Sequence, residues 1–242
     1  MKKFIAEDSF WELFPEATIG VLVARGLKPS AEVPEEEAAE IARGLDRANV
    51  RAERFLTSDT ISENEPVRVW REAYRRFKTK KGARCAIENL LKRVLKGKPV
   101  GSITPSVDIY NTVSLTYAFP TGGFDLNKIE GDYRLAVTVE GGEPFLPIGE
   151  EENDPALPGE LIYLDDAGAT SRCWNWRDSQ RTELNDETRD AVVVFECIEP
   201  ARVDDAKGEL EALAENLSRY LGAEITVSEL VTADNREVVL EG

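Results

Sequence analysis

Residues 104–131 read TPSVDIYNTVSLTYAFPTGGFDLNKIEG, a polar-dotted helical run that stops at Pro120 and opens into a Gly122-Gly123 doublet. On a helix, Tyr110, Val113, Ser114 and Tyr117 share one face, with Asn111 beside it. Proline cannot continue such a run. Two adjacent glycines before Phe124 predict a tight turn with positive φ, where the backbone approaches something bulky. Asp125 either holds that turn through its own carboxylate or meets a ligand there.

Upstream, residues 8–14 (DSFWELF) form a short helix with Phe10, Trp11 and Phe14 inward. Residues 17–24 (ATIGVLVA) form a strand buried on both faces. Pro34 and three glutamates then start a long amphipathic helix that ends near Leu56. Ser62 and Glu65 have the spacing of a capping box, followed by two helices within residues 66–98 that Gly82 separates. Downstream, alternation over residues 132–139 predicts a strand with one wet face. Residues 145–148, 161–164, 169–176 and 191–197 read as further strands. A helix carrying Ala206, Leu210, Leu213, Leu217 and Leu221 and two strands complete residues 204–240. Helices and strands that do not follow βαβ order predict an α+β fold, a mixed or mostly antiparallel sheet flanked by helices, as a single domain over residues 1–242.

Composition narrows the chemistry. The chain has no histidine, which excludes Ser-His-Asp and Cys-His nucleophile systems and every His-containing metal site. Its three cysteines show no CxxC spacing, so a reducing, cytoplasmic setting is expected, with no metal and no cofactor. No apolar run is long enough to span a bilayer. The net charge of −16 argues against a general nucleic-acid or DNA coat. That charge is segregated, because residues 68–98 carry twelve Lys or Arg and two acids. In that segment Arg75, Arg76, Lys80 and Lys81 are the candidates to meet a nucleic-acid backbone, or else they form the solvated face of amphipathic helices.

A second stretch, RCWNWRDSQ over residues 172–180, reads as a strand with Trp174 and Trp176 on one face and Asn175 and Arg177 on the other. The tryptophans either pack in the core or wall a pocket for an amino-acid side chain, with Arg177 holding an anionic oxygen.

The order VDIYN, PTGGFD, KIEG, WNWRDS and NDET resembles the editing module of the phenylalanyl-tRNA synthetase β subunit, its third and fourth domains, most clearly over residues 106–196. The resemblance implies that module's fold and a pocket between residues 111–125 and 178–185. It implies an aminoacyl-tRNA deacylase acting in trans, whose partner is tRNA through its aminoacylated 3′ end, with no aminoacylation activity. Asn111 falls on the family's asparagine. Gly122 falls where the family commonly has histidine, and Gln180 where it commonly has a glutamate that reads a tyrosine hydroxyl. Asn111, Gly122, Gly123 and Gln180 are thus the catalytic candidates, and Asp125, Trp174, Trp176, Arg177 and Asp178 the substrate-binding ones. A non-catalytic RNA- or aminoacyl-tRNA-binding module, and a hydrolase of a small acyl ester or amide, are the alternative functions.

Overall fold

Strand β2 (Thr18–Arg25) carries residues that are buried along almost its whole length, as an apolar run with no alternation requires. It is sandwiched because both of its faces are covered. The structure, a computed structural model, describes residues 1–241 and is α+β, with two sheets and a layer of helices.

The first sheet is antiparallel and ordered β3 (Thr121–Asp125), β8 (Asp190–Cys197), β2, β9 (Glu224–Val231). The second is mixed. Its order is β10 (Glu237–Glu241), β1 (Lys2–Ala6), β4 (Tyr133–Val137), β5 (Leu161–Asp165), β6 (Gly168–Arg172), β7 (Arg177–Asp178), with β1 and β4 parallel.

Period-two alternation on the central strands separates two cores. Val192 and Val194 of β8 and Val21 and Val23 of β2 face the second sheet, where Phe4, Tyr133 and Tyr163 meet them. Val193 and Phe195 of β8 and Leu22 of β2 face the other way. They pack on α2 (Glu35–Ala52), α5 (Pro105–Tyr117) and α6 (Val203–Leu221) through Ile41, Ile109, Val113, Leu213 and Leu217. Three shorter helices, α1 (Asp8–Leu13), α3 (Glu65–Ala73) and α4 (Ala86–Leu95), supply Phe10, Trp70 and Ile87 to the inter-sheet core.

Several local expectations change. The glycine doublet makes no turn, since Gly122 and Gly123 sit within β3, paired with Val194 and Val193. The chain turns earlier, at Ala118, whose left-handed φ of 56° ends α5. The strand expected over residues 169–176 stops at Arg172. Residues 145–148 form no strand, keeping only a single bridge from Pro147 to Ser179. Ser62 and Glu65 make no capping box, because α3 begins at Glu65 and Asn64 ties residues 58–61 through its amide. Strand β1 has no counterpart in the sequence reading.

Gly20 is where β2 and β8 must touch most closely. A Cβ there would lie 2.0 Å from Cε1 of Phe195, and Phe195 is itself stacked on Phe119. Gly20→Ala should therefore destabilise the protein by ~3 kcal/mol, an overpacking penalty read as a lower urea midpoint. Adding Phe195→Leu should recover part of that loss.

Candidate functional site

Between β6 and β7 the chain reverses through Cys173 and Trp174, both left-handed at φ 45° and 66°. Each such non-glycine residue costs roughly 1–2 kcal/mol. Glu160 holds the reversal. Its Oε1 accepts from the Cys173 amide at 2.7 Å and from Arg172 Nε at 3.0 Å, while Oε2 accepts from Arg172 Nη2 at 2.6 Å and the Leu157 amide at 2.8 Å. Both side chains of this ion pair are fully buried. Burial alone would raise the Glu160 pKa, but the bonds from Arg172 and Leu157 outweigh it and hold the carboxyl below its ordinary value.

The reversal drives Trp174 into the core, with ring centroids 4.7 Å from Phe14, 4.8 Å from Trp70 and 5.5 Å from Phe10. The next residue, Asn175, faces the other way. Its Oδ1 accepts from Tyr74 Oη at 2.9 Å and its Nδ2 donates to Glu196 Oε2 at 2.9 Å. Glu196 also accepts from Tyr163 Oη. Strand β7 then returns along β6, placing Asp178 opposite Ser171.

These groups enclose a cavity between β3, the edge of the first sheet, and β7, the edge of the second. Gly122, Phe124, Tyr163, Asn175, Asp178 and Glu196 line it, and its volume is about 30 Å³. That is room for a water, and not for an amino-acid side chain. Burial pushes Asp178 up to about 6, with a further push from Glu183. Burial likewise raises Glu196 to about 7 against the pull of its Tyr163 and Asn175 bonds. Both carboxyls thus titrate near neutrality. On the helix side of β3, Thr121 Oγ1 donates to Glu209 Oε1 at 2.6 Å. Glu209 is fully buried, its Oε2 has no partner, and burial raises it to about 8.

Of the residues singled out from sequence, Gly122 and Asp178 come together in the cavity. Gly123 faces the opposite side of β3, where a Cβ would lie 2.9 Å from Leu184 Cδ2 and 3.4 Å from the Tyr110 ring. Asn111 is buried in α5 and is not among the residues that line the cavity. Gln180 is exposed, and its Nε2 donates to the carbonyls of Pro147 and Glu150, stapling a loop. Asp125 accepts from the Asn127 amide and Thr188 Oγ1, so it holds the chain that leaves β3. Trp174 forms core and walls no pocket, because the strand that was to present it is a turn. Trp176 is half-buried beneath the Arg177 guanidinium, which pairs with Glu150.

The basic candidates divide similarly. Arg75 pairs with Glu72 and Lys80 with Asp154, Arg76 donates to the Leu13 carbonyl, and Lys81 is exposed. Sequence reasoning passed over Glu196 and Glu209. The signal was present, since Glu196 is the lone acid inside the apolar run of β8 and Glu209 lies four residues before Leu213 on the inner stripe of α6.

A protein-family model described as the B3/4 domain matches residues 69–238. Phenylalanine--tRNA ligase β subunits of Streptococcus agalactiae serotypes Ia and V are each 25% identical to this chain over 123 residues. That is 51% of this chain and 15% of theirs. An N-terminal fragment of the phenylalanyl-tRNA synthetase β subunit from Pyrococcus horikoshii has a similar fold, with a TM-score of 0.50 and 10% identity. The match covers 92% of this chain and 49% of that one. The chain thus spans well under two thirds of these relatives. Among the described residues, no helix is long and apolar enough to cross a membrane.

Glu209 generates a stability prediction. Unfolded, it loses its proton near its ordinary value of 4.5, whereas folded it keeps the proton to about 8. The native state therefore binds the extra proton in that window, and stability falls as pH rises through it. Glu209→Met removes the titration, and Thr121 Oγ1 keeps a longer bond to the Phe119 carbonyl at 3.4 Å. The variant's melting temperature relative to the unmodified protein should climb between pH 5 and 8, by roughly 2–4 °C for each kcal/mol released.

Proposed function

The chain belongs to the B3/4 domain family, and from that premise we propose that it hydrolyses the ester of a mischarged aminoacyl-tRNA in trans. The observation that carries this reading is a water-sized cavity holding two carboxyls that titrate near neutrality. An aminoacyl ester is already activated, so the protein needs only to orient a water, accept its proton, stabilise the developing oxyanion and hand that proton to the departing ribose oxygen as the acyl C–O bond breaks.

Asp178 is the general base in this scheme. With a pKa of about 6 it is mostly ionised at pH 7 yet still basic enough to accept a proton. Glu196, at about 7, keeps its proton longer. Tied to Tyr163 and Asn175, it fixes the floor against which the water sits. One oxyanion donor comes from β3. Along an edge strand successive N–H groups point to alternate sides, so one of the two glycine amides faces away from β8. Gly122 has no side chain to close the cavity mouth, and Gly123 lets Tyr110 and Leu184 pack behind the strand. Asn111, on α5, and Gln180, whose amide staples the loop at residues 147–150, lie outside the cavity and take no direct part in this scheme. The exposed side chains of Arg76 and Lys81 meet the tRNA backbone.

The size of the cavity favours a second reading, a tRNA-binding module without catalysis, because about 30 Å³ admits no aminoacyl side chain without movement of the walls. Deacylation of a panel of mischarged tRNAs separates the two. Hydrolysis of at least one of them, rising with pH through about 6 and falling by ~10²-fold in Asp178→Asn, is the expected result. Binding of tRNA with no hydrolysis of any panel member would assign the module.

A further inference from the structure

A larger cleft opens on the other side of the wall that Tyr74 and Asn175 build. It lies between α3 and α4, has a volume of about 280 Å³, and is lined by Trp70, Tyr74, Arg71, Arg75, Arg84 and Glu88 among others. We propose that this cleft binds the phosphate group of a nucleotide, with the guanidiniums of Arg84 and Arg75 as its ligands.

Charge makes the first case. Three guanidiniums and one carboxylate line the cleft, a local excess of cation in a chain of net −16. The carboxylate does not cancel them equally. Glu88 is buried and takes a two-pronged bond from Arg71, with Nη2 at 2.6 Å and Nε at 3.0 Å. Arg84 Nε stands 3.6 Å from the same carboxylate, beyond hydrogen-bond distance, and its side chain is half exposed. Arg75 pairs only with Glu72 at the surface, a link of the kind worth little. Arg84 also donates from Nη1 to the adjacent Ala83 carbonyl at 2.6 Å, so an entering phosphate finds Arg71 committed to a buried carboxylate and would draw Arg84 and Arg75 away from a backbone carbonyl and a surface pair. Trp70 and Tyr74 are almost wholly buried, so they give the cleft a rigid floor and no stacking face. The recognised group is accordingly the phosphate.

Position makes the second case. Tyr74 lines the cleft while its hydroxyl reaches Asn175, which lines the acid cavity and holds Glu196 there. Cys85 lines the cleft and Ala86, the next residue, lines the cavity. One tyrosine–asparagine pair thus separates the two spaces. A nucleotide phosphate seated in the cleft would therefore lie against the wall of the acid cavity. The use of this adjacency rests on the proposed hydrolysis, whereas the binding of phosphate does not.

The test is calorimetric titration at low salt with adenosine 5′-monophosphate, adenosine and inorganic phosphate. Arg84→Gln and Arg75→Gln are compared with Lys92→Gln, which removes the same charge from exposed α4 surface outside the cleft. Arg71 is left intact, because freeing buried Glu88 endangers the fold. Adenosine monophosphate should bind and adenosine should not. Arg84→Gln and Arg75→Gln should each weaken binding by about 10-fold, and Lys92→Gln by less than ~2-fold. Saturable binding of inorganic phosphate with the same pattern of loss supports the anion site, and a tighter monophosphate supports the nucleotide. Equal loss in all three variants, or no binding of either phosphate compound, overturns the proposal. Assaying tRNA deacylation on the same proteins keeps the two ideas apart. Intact hydrolysis without phosphate binding removes only the cleft, and phosphate binding without hydrolysis removes only the enzyme.

Discussion

The buried pair of Glu160 and Arg172 governs how the rest of the site is arranged. An ion pair taken wholly out of water gains little or nothing over an apolar pair of the same size. Here the same carboxylate also satisfies the amides of Leu157 and Cys173, and so fixes two consecutive left-handed residues that unaided backbone would avoid. From that reversal follow the burial of Trp174, the outward aim of Asn175 and the return of β7 along β6. With a regular strand through residues 169–176, Asn175 and Asp178 would fall on opposite faces. The turn lets both reach one cavity.

The site sits where two edges meet. Strands β3 and β7 each lie at the end of a sheet, and beyond them only short connecting segments are met, Phe124 bridging to Glu183 and the Asp178 carbonyl accepting from the Ile148 amide at 3.0 Å. The interior strands β2 and β8 have a strand on each side and a core on each face. Helix α5 leads into this edge through the left-handed Ala118 and the bond from Ser114 Oγ to the Phe119 carbonyl. That link sets the register in which Gly122 faces the second sheet and Gly123 faces the helices.

Much of the architecture was legible because periodicity and burial agree. The apolar runs at β2 and β8 and the stripes of α2 and α6 all reflect local preference reinforced by packing. The readings that changed share one physical cause, that tertiary contact overrode the local signal. The glycine doublet looks like a turn, yet both glycines lie on an extended strand, with Leu184 and Tyr110 packed close against Gly123. Trp174 and Trp176 look like strand neighbours, yet a glutamate far back in the chain turns the backbone between them. Residues 2–6 (KKFIA) are too short to signal a strand alone, and β1 exists because β4 and β10 flank it. Within the site, Gly122 and Asp178 were legible from their motifs. Glu196 left only the trace of a lone acid in an apolar strand, whose meaning depends on its partners Tyr163 and Asn175.

The missing histidine connects the composition to the chemistry. Among unperturbed side chains only imidazole changes charge near neutral pH, and this chain contains none. A carboxylate in water, with a pKa near ~4, is too weak a base to replace it. Burial supplies the difference, since desolvation penalises the anion and lifts Asp178 to about 6 and Glu196 to about 7. The range an imidazole would occupy is thus reached by two acids that line a cavity no larger than a water needs, between two sheet edges. A wider cavity would admit bulk water, return both carboxyls toward their ordinary values and make Asp178 too weak a base for the proposed proton transfer at pH 7. The tightness that excludes an amino-acid side chain and the acid–base character of the site are therefore one property of the same walls.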